Sequence, residues 1–189
     1  MVSKNIIAAF LSALLIFLPI TVKTAEIEGV FFNDSYMSGD KLLLLRGAAV
    51  LDYMLVIRAY AGGLYLAPDT QRKAVLGDVH RILELYYFHK ISAGDFREST
   101  IEMIKKNISP DEFERISERL EKFNKFYKSV KPGDRYRAEY IPAKGTTLYH
   151  NGNPLGTVKG NDFSRAFFSI WIGADPIDKK FRDRLLGKR

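Results

Sequence analysis

Tyrosine and arginine side chains are the best candidates in this chain for recognising a small molecule. Arg46, Arg58, Tyr60 and Tyr65 lie close together in the strand-rich first half of the sequence. A buried arginine stays charged and therefore needs an anion, for which a carboxylate is the natural partner. One interpretation of the pattern is a pocket for an apolar molecule with an acidic end. The alternative is that these arginines lie on a solvated face or pair with nearby acids such as Asp52.

The histidines do not form a catalytic or metal-binding pattern. His80, His89 and His150 lack the spacing of metal ligands, and the sequence contains no cysteine. The motifs of serine hydrolases, P-loop proteins and dinucleotide-binding proteins do not occur either. We therefore predict no metal, no cofactor and no catalytic residue of these kinds, and we expect the histidines to be solvated near strand ends.

The charge of the chain does not indicate a nucleic-acid partner. The formal net charge is +7, but the basic residues are spread along the sequence. No aromatic motif typical of RNA-binding domains accompanies them. We predict that the protein does not bind nucleic acid, and the sequence does not indicate its oligomeric state.

The N-terminus has the pattern of a secretory signal peptide. Lys4 precedes an apolar run over residues 6–20, and the small residues Thr24 and Ala25 follow it. The run is shorter than the ~20 apolar residues that a membrane-spanning helix needs. We expect cleavage after Ala25, and the alternative is an uncleaved N-terminal anchor.

This interpretation fixes the expected domain organisation and location. Residues 1–25 are the predicted signal peptide, and residues 26–189 form one domain without repeats or an internal linker. The mature protein is expected in the periplasm of a Gram-negative bacterium, with no transmembrane span. Without cysteines it has no disulfides there, so its stability must come from packing.

Strand patterns dominate the first half of the domain. Branched and aromatic residues are frequent over 29–34, 41–67 and 80–89, with glycines between them. Both faces of the strand predicted over 80–89 are largely apolar, so it should be central and covered on both sides. Glycines 62 and 63 suggest a bulge or a close approach of the backbone to another group.

Helix and hairpin signals follow. Ser92 is the expected N-cap of a helix over 92–107, and a capping box at Ser109 opens a second helix that ends at Pro132. Residues 134–140 alternate as a strand with one solvated face, and Asn151-Gly152 predicts a tight hairpin.

The C-terminal segment predicts two more helices. Apolar residues recur with helical spacing over 163–172, Gly173 is a natural stop, and Asp175-Pro176 should begin another helix. Together the elements predict an α+β fold in which helices are grouped against an antiparallel sheet.

A family resemblance rests on two segments, which read "GAAV…VIRAYAGGLYLA" and "GNDFSRAFFSIWIGADPIDKKFRDRLLG". They resemble segments of the chalcone isomerase-like proteins, in particular of their exported bacterial branch, and the match extends over about residues 40–187. The resemblance implies an open-faced β-sandwich, in which a large antiparallel sheet carries a helical layer with a cleft between them.

The resemblance also implies a reaction, the closure of a chalcone to a flavanone, which the matching residues do not support. That reaction needs an activated phenolate and a stabilised enolate, which require polar or charged groups. The positions that match polar family residues hold Leu51, Tyr60, Phe96, Ser99, Met103 and Ile170 here. We therefore expect no chalcone isomerase activity and an apolar cleft in place of the catalytic site.

Other members of the family resemble fatty-acid-binding proteins, which hold the carboxylate with an arginine and a tyrosine. Tyr60 matches that tyrosine, whereas Leu51 stands where the arginine would be, so we consider Arg58 or Arg46 as its substitute. The predicted ligand-binding residues are Tyr60, Arg58, Arg46, Phe96, Met103, Ile170 and Trp171.

The sequence thus predicts a non-catalytic exported protein that binds an apolar carboxylate, such as a fatty acid, between sheet and helices. Two alternatives stay open. One is an isomerase or lyase that uses Tyr60 and an arginine. The other is an interaction or structural protein of the cell envelope without a ligand pocket. The volume and lining of any cavity between sheet and helices distinguish these hypotheses.

Overall fold

Antiparallel strands form most of the structure, a computed structural model that describes residues 24–53 and 57–188. Most of the predicted signal peptide therefore lies outside the described residues. The strands are β1 (Thr24–Ile27), β2 (Val30–Asn33), β3 (Ser35–Ser38), β4 (Lys41–Tyr53), β5 (Ile57–Leu66), β6 (Arg81–Tyr87), β7 (Arg135–Ile141), β8 (Gly145–His150) and β9 (Asn153–Val158). Strands β3 to β9 form one sheet in chain order, and β1 and β2 form a separate hairpin.

Four α-helices complete the described part of the chain. They are α1 (Ala93–Asn107), α2 (Pro110–Asn124), α3 (Asn161–Ile172) and α4 (Lys179–Leu185). Capping boxes at Ser92 and Ser109 begin the first two helices, as their sequences predict, because each serine and the acid three residues later satisfy one another's backbone amides. No helix in the described ranges is long and apolar enough to cross a membrane.

The seven-stranded sheet has two covered faces. On the helical face, Leu83 and Leu85 of β6 share one core with residues of α1, α2, α3 and α4. On the opposite, outer face, Val30 and Phe32 of the β1–β2 hairpin pack against Ala61. The predicted α+β architecture, with a large antiparallel sheet and a helical layer, is confirmed. Strand β6 is central, as predicted, and pairs with β5 and β7.

Helix α3 is the most deeply buried helix of the layer. Nine of its residues are buried, including Phe163, Phe167 and Phe168, which are at most 1% exposed. The apolar C-terminal segment therefore forms the centre of the core between the other helices and the sheet. Gly173 caps the helix, as its sequence predicts.

Two helix boundaries differ from those predicted. Helix α2 ends at Asn124 instead of near Val130, although Tyr127 and Val130 still reach the core. After the helix the chain turns, and Val130 pairs through its backbone with Ile91, which lies just ahead of α1. The last helix begins at Lys179 with Asp178 as N-cap, because that carboxylate accepts a bond from the Phe181 amide.

The outer face of β7 is only partly solvated, whereas the sequence predicts a solvated face. Glu139 is only 3% exposed, since the Ser38 hydroxyl of β3 donates to it and His80 Nε2 lies 3.0 Å away. Arg137 adds an ion pair of 3.0 Å with the same carboxylate. Burial raises the pKa of Glu139, but the bonds from His80 and Ser38 outweigh this and lower it overall. His80 is thus buried in this cluster and is not the solvated residue predicted.

Glycines allow α4 to lie directly on the sheet. A Cβ atom at Gly47 would lie 2.1 Å from the backbone oxygen of Arg184, and one at Gly62 would lie 2.7 Å from the Phe181 ring. On the outer face, a Cβ at Gly63 would lie 2.9 Å from Phe32. The glycine pair in β5 therefore serves close packing on both faces, as its sequence suggests.

Candidate functional site

A cavity of about 250 Å³ lies between the sheet and the helical layer. Its floor consists of Tyr60, Leu83, Leu85, Tyr87, Tyr136, Ala138 and Leu148. The other lining residues are Ile91, Asp95, Phe96, Ser99, Thr100, Tyr127, Phe167, Ile170, Trp171 and Ile177. The walls are mostly aromatic and aliphatic, which is typical of sites for apolar small molecules.

The floor and roof of the cavity are joined by a hydrogen bond between two lining residues. Trp171 Nε1 donates to the Tyr60 hydroxyl at 3.0 Å. The indole N–H can only donate, so the Tyr60 oxygen is the acceptor and its own proton is left for another partner. Tyr60 is also held edge-on by the rings of Tyr87 and Phe181, at 5.7 and 5.6 Å between centroids. The hydroxyl is therefore fixed in place.

Three further hydroxyls of the lining are already bonded to the protein. The hydroxyls of Thr100 and Tyr127 lie 2.9 Å apart and bond to one another. The Tyr136 hydroxyl donates to the Lys128 carbonyl at 2.7 Å and accepts from the Lys128 amide at 2.8 Å. These bonds fix the walls and leave the interior of the cavity largely apolar.

The tyrosines of the cavity remain neutral. Burial raises the pKa of Tyr60 well above its usual value, although the bond from Trp171 acts in the opposite direction. Burial likewise raises the pKa of Tyr87, Tyr127 and Tyr136. Each of these side chains can exchange hydrogen bonds, but none is prepared to act as a phenolate base.

The cavity reaches the surface near the start of α1. Asp95 and Ser99 are exposed lining residues, and Ile177, which is 37% exposed, lies at the same rim. The Asp95 carboxylate accepts bonds from the Ser92 side chain and backbone that lower its pKa, so it is ionised at neutral pH. The rim therefore carries a negative charge.

The structure brings together four of the seven residues predicted to bind a ligand. Tyr60, Phe96, Ile170 and Trp171 all line the cavity. Phe96 stacks on Tyr127, with ring centroids 5.3 Å apart. Met103, about two turns after Phe96 in α1, is buried in the core and is not among the lining residues.

The two predicted arginines lie away from the cavity. Arg58 pairs with Glu28 beside the β1–β2 hairpin at 3.1 Å, and Arg46 donates to the Thr70 carbonyl at 2.7 Å. The pairing of β4 with β5 shifts register twice, next to Arg46 and next to Arg58. At the first shift Arg46 has no partner on β5, and at the second Ala59 has no partner on β4. A bulge of this kind redirects neighbouring side chains, which simple alternation along the strand does not show.

The core contains a different buried arginine. Arg81 is fully buried, and its guanidinium donates to the carbonyls of Val75 and Gly77 and to the Ser164 hydroxyl, at 2.6–2.8 Å. The rings of Tyr140 and Phe168 lie over its two sides at 4.8 and 4.9 Å. Burial lowers the pKa of Arg81, and Tyr140 and the Asp78 carboxylate act in the opposite direction. Carbonyl oxygens and aromatic faces thus share the role expected of an anion, and Arg81 does not line the cavity.

Sequence reasoning missed three tyrosines of the cavity, Tyr87, Tyr127 and Tyr136. Each stands on the apolar stripe of its own element, so its sequence signal is that of core. The pairing of β6 with β7 and the turn after α2 bring the three tyrosines together around the cavity. Asp95 carries the sequence signal of a helix-capping residue, and Ser99 is identified only as a position that matches a polar residue of the family.

A solved structure of another protein has a similar fold. A crystal structure of a fatty-acid binding protein from Arabidopsis thaliana superimposes with a TM-score of 0.67, covering 87% of this chain and 96% of that one. The two chains are 19% identical, so the likeness concerns the fold. No curated protein matches the sequence.

The family assignment agrees with this comparison. The model of the family described as chalcone isomerase-like matches residues 24–187, which is nearly the whole described part of the chain. The chain therefore belongs to the chalcone isomerase-like family.

Proposed function

We propose that this protein is a non-catalytic member of its family that binds an apolar small molecule in the cavity between sheet and helices. The observation that carries the proposal is the cavity itself, about 250 Å³ with largely apolar walls. The fatty acid predicted from the sequence belongs to this class of ligand. The Arabidopsis thaliana neighbour is a fatty-acid binding protein, which supports the same class.

The chemistry of the lining supports binding without catalysis. Proton abstraction by a tyrosine needs a lowered pKa, whereas burial raises the pKa of Tyr60, Tyr87 and Tyr127. The arginine that an isomerase or lyase would use beside Tyr60 is also missing from the lining, since Arg58 and Arg46 bond elsewhere. The cavity offers an apolar volume with a few fixed hydroxyls.

Filling the cavity should abolish binding. Ala138 lies on the floor and faces the empty volume, so Ala138→Phe places a ring where the ligand would be. We expect the affinity for 1-dodecanol, measured by displacement of a fluorescent apolar probe, to fall at least about tenfold. The melting temperature should stay within a few degrees of that of the native protein, because the new ring fills existing space.

The matched control is Ala174→Phe, which adds the same ring at an exposed loop position. Its affinity for 1-dodecanol should equal that of the native protein. Equal affinities in both variants, or no binding to the native protein at micromolar concentrations, would contradict the proposed site. In the second case the interaction or structural role becomes the better interpretation.

We also propose that the protein is exported and belongs to the exported bacterial branch of the family. The support is the N-terminal sequence, in which Lys4, an apolar run and two small residues follow in the order of a signal peptide. We expect the full chain, expressed in a Gram-negative bacterium, to be recovered from the periplasm with Glu26 as its first residue by intact-mass measurement. A chain that keeps Met1 and sediments with the membranes would instead show an uncleaved anchor.

A further inference from the structure

The cavity provides a fixed hydrogen-bond donor near apolar walls. Tyr60 accepts from Trp171, and within residues 24–53 and 57–188 no protein acceptor takes its hydroxyl proton. The neighbouring Tyr87 hydroxyl has no hydrogen-bond partner in the same ranges, and both side chains line the cavity. A ligand that presents an oxygen acceptor can therefore be bonded at the floor without displacing an existing bond.

As far as residues 24–53 and 57–188 are concerned, the same lining provides no positive charge. None of the residues that line the cavity, within the described part of the chain, is a lysine, an arginine or a histidine. Arg58, which is close to Tyr60 in β5, pairs with Glu28. Arg46, on the paired strand β4, donates to the Thr70 carbonyl. Among the described residues that line the cavity, the carboxylate of Asp95 at the rim is the one side chain that is charged at neutral pH.

A carboxylate ligand would meet two penalties in this site. An anion removed from water without a cation loses its hydration and gains only the bonds of neutral hydroxyls, which is a large net cost. It would also have to pass Asp95, whose like charge repels it. A neutral oxygen, as in an alcohol, a carbonyl, an ester or an undissociated acid, meets neither penalty.

We infer that the ligand of this cavity is an apolar molecule with an uncharged polar end, whose oxygen accepts a hydrogen bond from Tyr60. The inference rests on the proposed function, since it specifies the ligand of the same site. It also changes the chemistry predicted from the sequence, in which an arginine would hold a carboxylate.

The test compares two probes with the same alkyl chain, 1-dodecanol and dodecanoate, at pH 8, where the acid is ionised. We expect the alcohol to bind at least about tenfold more tightly by displacement titration, below the concentration at which either probe aggregates. If dodecanoate binds as tightly as the alcohol or more so, the inference is wrong while the proposed function stands. If neither probe binds, the proposed function fails first and the inference with it.

A charge placed at the rim sharpens the test. Ser99→Lys puts an ammonium beside the cavity on an exposed position of α1, so it should not disturb folding. We expect the ratio of alcohol to carboxylate affinity to fall at least about threefold, because the new cation offsets Asp95. Asn153→Lys adds the same charge on exposed strand β9, away from the cavity, and should leave the ratio unchanged. Equal ratios in both variants would overturn the electrostatic explanation.

Discussion

Phe123→Ala is expected to lower the free energy of unfolding by about 4 kcal/mol, because the substitution opens a cavity in the aromatic core. The Phe123 ring is fully buried at the end of α2 and lies 5.2 and 4.7 Å from the rings of Phe163 and Phe167 in α3. It also touches Tyr127 after the helix, at 5.8 Å between centroids. These fixed aromatic neighbours cannot close the space that the ring leaves. Urea denaturation followed by tryptophan fluorescence measures the loss.

Phe31→Ala is the matched control, because the same atoms are removed from a side chain that is 56% exposed. We expect this substitution to change the free energy of unfolding by less than about 1 kcal/mol. If the two substitutions destabilise the protein equally, the helical layer is not the main core of the fold.

Gly47→Ala should cost about 3 kcal/mol, although it adds only one methyl group. The new Cβ would lie 2.1 Å from the Arg184 oxygen and 2.9 Å from the Leu185 oxygen, both in the backbone of α4. Backbone atoms cannot rotate away, so α4 must move off strand β4. Because Phe181 of α4 packs against Tyr60, a displaced helix should also expose the cavity. Thermal unfolding and amide exchange of residues 179–185 measure the two effects.

Gly94→Ala in the first turn of α1 is the corresponding control. A Cβ there meets no atom closer than 3.4 Å, and alanine favours the helical conformation over glycine. We expect unchanged or slightly increased stability. Equal losses in the two glycine variants would contradict the close approach of α4 to the sheet.

The order of elements and the fold class can be predicted from the sequence because they depend on local signals. The capping boxes at Ser92 and Ser109 determine where α1 and α2 begin, and the apolar periodicity over 163–172 identifies α3. Asn151-Gly152 determines the β8–β9 turn, in which both residues have the positive φ that the turn requires. Each signal lies within a few residues of the feature that it determines.

The ends of helices and the burial of side chains are less predictable from the sequence where they depend on contacts with a distant segment. The helical spacing of Tyr127 and Val130 predicts a longer α2, but the pairing of Val130 with Ile91 draws the chain into an extended conformation instead. Glu139 and His80 have the sequence pattern of solvated polar residues, and only in the folded chain do they bond to one another and does Ser38 of β3 donate to Glu139. An alternating pattern reports only which residues share a face, not what covers that face.

The sequence by itself determined the sheet, the helical layer and the apolar character of the wall formed by Ile170 and Trp171. Only the tertiary structure decided which groups meet around the cavity. Two irregularities between β4 and β5 leave Arg46 and Arg58 outside it, while Asp95 comes to its rim from α1. The physical reason is that bulges and the packing of α1 on the sheet depend on residues far apart in sequence. The sign of the charge at the site, on which the proposed choice of ligand rests, is therefore a property of the folded chain.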